Sequence, residues 1–211
     1  MVVTASMVVL MGNSMGTTTR IIHSAQMSDE LRNAMSMMTR DLRRANYSAN
    51  AIFCYGNSNC GASGGISEQA GDVQVNGECF AFTLDRNSDG NAANDEVGGF
   101  RRVQTAGGVG VIEMWTGAAG TTPNCGSAAG TNGWIELTDP STVNVSVFNV
   151  DDSNSFTRTI EESETSSFDN RQRQIRISLQ GELVLEQQAN IETVSRRIED
   201  VIYIRNDYIV L

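Results

Sequence analysis

The stretch IIHSAQMSDELRNAMSMMTRDLRRA, Ile21 to Ala45, decides how the rest of this sequence is read. Apolar residues recur at Ile22, Ala25, Met27, Leu31, Met35, Met38, Leu42 and Ala45. Steps that are mostly three and four place them on one stripe of an α-helix. No proline interrupts Thr17 to Asn46, and the nearest glycine is Gly16. Arg40, Arg43 and Arg44 load the C-terminal end, where cations complement the helix dipole. The polar run NYSAN (46–50) then stops the helix. The SDEL stretch at 28–31 could cap a second helix, so a break near Ser28 is the alternative. Met35, Met37 and Met38 read as packing residues, and His23, the sole histidine, as a surface residue.

Upstream, MVVTASMVVLMG (1–12) is apolar and uncharged. It is shorter than the roughly 20 apolar residues that a membrane-spanning helix needs. No basic segment precedes it and no A-x-A-like site follows, so it does not read as a cleavable secretory signal. Two readings stand: a buried core helix, or a membrane helix whose beginning lies outside this chain. Ala5, Ser6, Gly12, Ser14 and Gly16 are small enough to let neighbouring helices approach closely.

Downstream of Ala51, glycine, asparagine and serine become common and short alternating runs appear. CFAFTL (79–84), GVIEMW (110–115), WIELT (134–138), VNVSVFNV (143–150), RQIRISLQGELVLE (173–186) and RRIEDVIYIRN (196–206) read as strands. With few helical patterns between them, they predict an antiparallel sheet. The polar segments 117–133 and EESETSSFDN (161–170) read as long loops, the second mobile or disordered.

The chain has 211 residues, 40% of them hydrophobic, enough for a real core. All fifteen basic residues are arginine, and the formal net charge is −10. That balance argues against a nucleic-acid partner, which would want a basic face. Four cysteines, Cys54, Cys60, Cys79 and Cys125, lack the close pairs of a zinc site and fit two disulfides in an oxidising compartment. Cys54 and Cys60 flank YGNSN, which can turn back on itself; Cys79 then pairs with Cys125. Four cysteines allow three connectivities. No H-E-x-x-H occurs and the lone histidine lies in the helix, so no enzyme is expected.

The segment LDRNSDGNAANDE (84–96) matches the spacing of a calcium loop. Asp85, Asn87 and Asp89 stand at positions 1, 3 and 5, Gly90 at 6, Asn91 at 7 and Glu96 at 12. Alternation directs successive oxygens at one centre, and the glycine permits the sharp turn. The flanking runs read as strands, so this is not an EF-hand domain. The competing reading is a polar turn, in which Asp, Asn and Gly serve local backbone needs.

Several stretches together resemble a known family. MSMMTRDLRRANYSAN (35–50) is similar to the end of the N-terminal helix in type IV pilus minor pilins of the PilW type and related J-type pseudopilins of type II secretion. FTLDRNSDGNAANDEVGGFRR (82–102) and WIELTDPSTVNVSVFNV (134–150) resemble that family's acidic Asp-Gly loop between strands and its Trp-x-x-Leu-Thr-Asp-Pro stretch. RQIRISLQGEL and VIYIRND resemble its last strands.

The resemblance implies a pilin-like α+β fold: a long N-terminal helix packed on an antiparallel β-sheet head. It divides the chain into helix 1–50, with a membrane or filament-core half at 1–19 and an amphipathic half at 20–50, and a disulfide-bearing head at 51–211. It further implies a structural subunit that sits in the bacterial inner membrane with its head in the periplasm. That subunit then enters an extracellular filament or periplasmic pseudopilus, its partners being other pilin or pseudopilin subunits. The family's prepilins carry a basic leader and Gly-Phe-Thr-Leu-x-Glu before the helix, whereas this chain opens with MVV, a few residues into that pattern. A secreted calcium-binding, adhesin-like β domain without filament assembly is the alternative expectation.

Overall fold

The computed structural model describes residues 2–49, 72–90, 94–116, 122–163, 166–184 and 194–210. Helix α1 runs unbroken from Val2 to Arg44. No second helix starts at Ser28, because its hydroxyl donates back to the Ser24 carbonyl at 2.8 Å and stays inside the turn pattern. The predicted stripe is buried from Met27 onward, at Met27, Leu31, Met35, Met38, Leu42 and Ala45, with Ala34 joining it, whereas its first two members, Ile22 and Ala25, are exposed. Ile21 is exposed as well. No helix among the described residues is long and apolar enough to cross a membrane by itself.

The end of α1 is built from the head. Asn46 adopts a left-handed backbone (φ 62°), which ends the helical repeat. Its N–H bonds to the Thr83 carbonyl at 2.9 Å. The Asn206 side chain donates to the Arg44 and Ala45 carbonyls, occupying acceptors that the helix leaves open.

The remainder is antiparallel. One five-stranded sheet runs in order through β1 (Gln74–Asn76), β2 (Cys79–Thr83), β3 (Val97–Gln104), β4 (Gly110–Trp115) and β5 (Trp134–Glu136). A second sheet has β9 (Gln174–Leu183) between β6 (Val143–Asp151) and β10 (Ser195–Tyr203). A third has β8 (Ser166–Gln172) between β7 (Phe156–Ser163) and β11 (Tyr208–Val210). An α+β architecture with one N-terminal helix and a sheet-built head is therefore what these residues form.

Helix α1 lies on β9 and β10, and its stripe shares one core with Ile175, Ile177, Leu179, Ile202, Val143 and Phe148. Gly181 sets the distance: a Cβ there would stand 2.9 Å from Val143 and 3.1 Å from Leu31. Polar ties fix the helix as well. Thr39 donates to Asp200 of β10 at 3.1 Å, and the backbone N–H of Asp139 donates to Glu30 at 3.0 Å. Burial raises the Glu30 pKa above its usual value, against the lowering effect of that N–H.

Two readings of the sequence need correction. Residues 161–170 are not a long loop: they belong largely to the paired strands β7 and β8, in register as Ile160↔Phe168 and Thr159↔Asp169. Backbone pairing needs no apolar composition, and Thr159 donates to Asp169 at 2.7 Å across the pair. Phe168 supplies the buried side. The strand runs 134–138 and 196–206 are also shorter than expected at their ends, at Trp134–Glu136 and Ser195–Tyr203.

A candidate metal-binding loop

The loop between β2 and β3 is pinned at both ends by backbone pairing. The N–H of Leu84 donates to the Glu96 carbonyl at 3.0 Å, and that of Asp85 to the Tyr47 carbonyl at 3.0 Å. The chain therefore leaves β2, turns and returns to β3 with Asp85 and Glu96 side by side. Both are buried, at 2% and 3% exposure, while Asp89 at the tip is exposed. Gly90 sits at φ 81°, the left-handed region where a side chain would be strained, and this lets the tip fold back over Asp85.

Each buried carboxylate is held by backbone donors. Asp85 accepts the N–H groups of Ala49 (2.8 Å), Asp89 (3.2 Å) and Gly90 (3.0 Å). Glu96 accepts those of Arg86 (2.8 Å) and Asn87 (3.2 Å). Asn87 is turned toward its neighbour: its oxygen accepts the Asp89 N–H at 2.8 Å and its amide donates to the Asp89 carboxylate at 2.9 Å. Asn91 lies outside the described residues.

Carboxylate oxygens of Asp85, Asp89 and Glu96 lie within 4.8 Å of one another. Calcium–oxygen distances near 2.4 Å put ligand oxygens up to ~4.8 Å apart across the ion, so the donor set has the dimensions and hard-oxygen chemistry of a calcium site. The structure thus brings together three of the five residues singled out by spacing. It also shows why the flanks are strands: the loop crosses from one to the next within a single sheet. The backbone hydrogen bonds give the two buried carboxylates a structural task whether or not a cation joins them.

Cys79 and Cys125 form a disulfide with their Cα atoms 6.0 Å apart. Cys54 and Cys60 lie outside the described residues. The Cys79–Cys125 link ties β2 to the segment 122–133, part of the stretch 117–133 that the sequence reads as a long polar loop. Its organiser is Arg101, a residue that sequence reasoning missed. The guanidinium donates to the carbonyls of Asn124 (3.2 Å), Cys125 (3.1 Å), Ser127 (2.7 Å) and Ala128 (3.0 Å). It pairs with Glu113 at 2.7 Å and lies 4.4 Å from the centre of the Trp134 ring. Opposite charges at facing positions of β3 and β4 were the available signal, legible only once the register is known.

A family model described as prepilin peptidase-dependent protein B matches residues 20–204. No curated protein and no solved structure matches the chain.

Proposed function

The chain belongs to the prepilin peptidase-dependent protein B family, and from that premise we propose that it is a minor pilin or pseudopilin. In this reading it is a structural subunit of the PilW or J type that takes part in assembly, or forms the tip, of a type IV pilus or type II secretion pseudopilus. It carries out no reaction. The subunit is held in the inner membrane by the apolar start of α1, with the head in the periplasm, and then joins other subunits through that helix.

The observation that carries this reading is the asymmetry of α1. From Met27 to Ala45 the helix buries one face in its own head. Before that, Ile21 and Ile22 are 65% and 51% exposed on the same continuous rod. A helix that continues past its own core with apolar residues outward has surface to offer to other helices. Calcium, bound by Asp85, Asp89 and Glu96, would act structurally by neutralising a carboxylate cluster and fixing the β2–β3 loop.

The test is genetic. Loss of the gene should abolish or thin the surface filaments, or stop type II secretion. The unaltered chain should restore them, and Ile21→Arg with Ile22→Arg should not, although the purified variant folds. Normal filaments and normal secretion in the deletion strain would defeat the assignment.

A further inference from the structure

An open groove of about 930 Å³ runs beside the last turns of α1, where the helix meets the metal-loop residues and the turn after β10. Its rim carries Arg32, Arg40, Arg43, Arg44, Arg86 and Arg205, all exposed. Arg40 pairs with Asp41 at 3.0 Å. None of the other five has a carboxylate partner among the described residues. Among the described residues, two acidic ones line the groove, and both are engaged: Asp85 by backbone N–H groups and Asp200 by the Thr39 hydroxyl.

Helix-dipole compensation accounts for cations in the last turn, Arg43 and Arg44. It does not account for Arg32, three turns earlier, nor for Arg86 and Arg205, which come from two other segments. A protein of net charge −10 has thus gathered six of its fifteen arginines around one concavity. Like charges repel, so the arrangement is unfavourable by itself and favourable toward an anionic partner.

We propose that this groove is a docking site for a carboxylate-rich polypeptide segment of a neighbouring subunit. The proposal rests on the subunit reading for the identity of the neighbour, but not for the chemistry of the groove. Arg32 and Arg44 stand about 18 Å apart along the helix at 1.5 Å per residue, too far for one phosphate to bridge. An extended peptide of roughly five or six residues covers that span at about 3.3 Å each and presents alternate side chains to one rim. Guanidinium forks suit carboxylates bidentately.

A lipid headgroup is disfavoured by position. Arg40 lies about 30 Å along α1 from Arg20, the first charge after the apolar start, and so beyond a Debye length of about 8–10 Å. A nucleic-acid strand is disfavoured because Tyr47 is the only aromatic lining residue among the described residues and the chain as a whole is acidic.

The experiment uses the full chain in neutral detergent and a fluorescent hexaglutamate peptide, followed by anisotropy. The peptide should bind, and binding should weaken steeply between about 50 and about 300 mM salt as the Debye length shortens. Arg40→Gln with Arg43→Gln and Arg44→Gln should weaken it about tenfold or more, and so should Arg86→Gln with Arg205→Gln, since both sets contribute charge-assisted bonds. These side chains are exposed, so circular dichroism should be unchanged.

Equal binding by parent and variants would overturn the proposal. Tighter arginine-dependent binding to phosphatidylglycerol vesicles or to oligothymidylate than to the peptide would do the same. A chain that enters filaments yet ignores the peptide would refute the groove alone. A chain that binds the peptide but never enters filaments would refute the subunit reading alone.

Discussion

Arg101 on β3 and Glu113 on β4 are direct register partners whose side chains meet at 2.7 Å, fully withdrawn from solvent. Burying two charges is costly, and an isolated pair seldom recovers that cost. Here the pair is part of a larger network. Arg101 also holds four backbone carbonyls, and Glu113 accepts the Gly130 N–H at 2.6 Å. The pair therefore folds segment 122–133 against the sheet, and the Cys79–Cys125 disulfide fixes the same segment covalently.

Glu113→Ala should destabilise the head by about 3–5 kcal/mol, because it leaves Arg101 buried without its counter-ion. Replacing both residues, as Arg101→Met with Glu113→Leu, should not restore stability, since four carbonyls then lose their donor. Urea denaturation of the single and double variants checks this. A double variant as stable as the parent would show that the carbonyl network is dispensable.

The disulfide closes a loop between positions separated by 46 residues. Its removal in Cys79→Ser with Cys125→Ser should lower stability by about 2–4 kcal/mol, as for loops of ordinary length. Thermal unfolding of the variant against the parent measures it. An unchanged midpoint would mean that Arg101 alone suffices to hold the segment.

Millimolar calcium should raise the melting temperature of the parent, in keeping with the weak sites of extracellular modules, about 10⁻⁴–10⁻³ M. Asp89→Ala should abolish the rise while leaving the calcium-free protein close to the parent, because Asp89 is exposed. Glu96→Ala should abolish the rise and also destabilise the calcium-free protein, by about 1–3 kcal/mol, because the N–H groups of Arg86 and Asn87 lose their acceptor. No calcium shift in the parent would leave the loop as a hydrogen-bonded turn.

Glu30 should give a pH signature of the opposite sign to that of most carboxylates. Burial raises its folded-state pKa above 4.5, so the folded chain binds this proton more tightly than the unfolded chain does. Its contribution to stability is present in full below the unfolded value and is lost as pH rises through the raised one. Asp139, whose pKa is lowered by the Ser141 N–H and hydroxyl, works the other way and favours folding above its unfolded value. Glu30→Gln removes the first effect and keeps an acceptor for the Asp139 N–H. The stability of this variant relative to the parent should therefore increase from acid pH toward neutrality, measured by denaturation at a series of pH values. A difference independent of pH would contradict it.

The helix was legible because a stripe of period 3.6 survives from Met27 to Ala45, and because that face is the one buried. Val143–Asp151 was legible from alternation, and Gly110–Trp115, buried almost throughout, from a short apolar run. The β7–β8 hairpin was misread because serine and glutamate at its tip describe composition, while the pairing is a property of backbone register. The loop carboxylates were visible in spacing alone. Arg101 was not, because its significance lies in carbonyls 23 to 27 residues away and in a facing strand. The arginine groove was hidden for the same reason: α1, Arg86 and Arg205 meet only in three dimensions.

The central claim is that α1 joins this chain to other helices through the surface it does not spend on its own head. A photo-crosslinking amino acid at Ile21 in cells that build the filament tests it directly, with Tyr203, 66% exposed on the head, as the comparison position. Position 21 should yield adducts with other helix-bearing subunits, and position 203 few or none. Adducts confined to position 203, or none at position 21 while filaments are being assembled, would contradict the account.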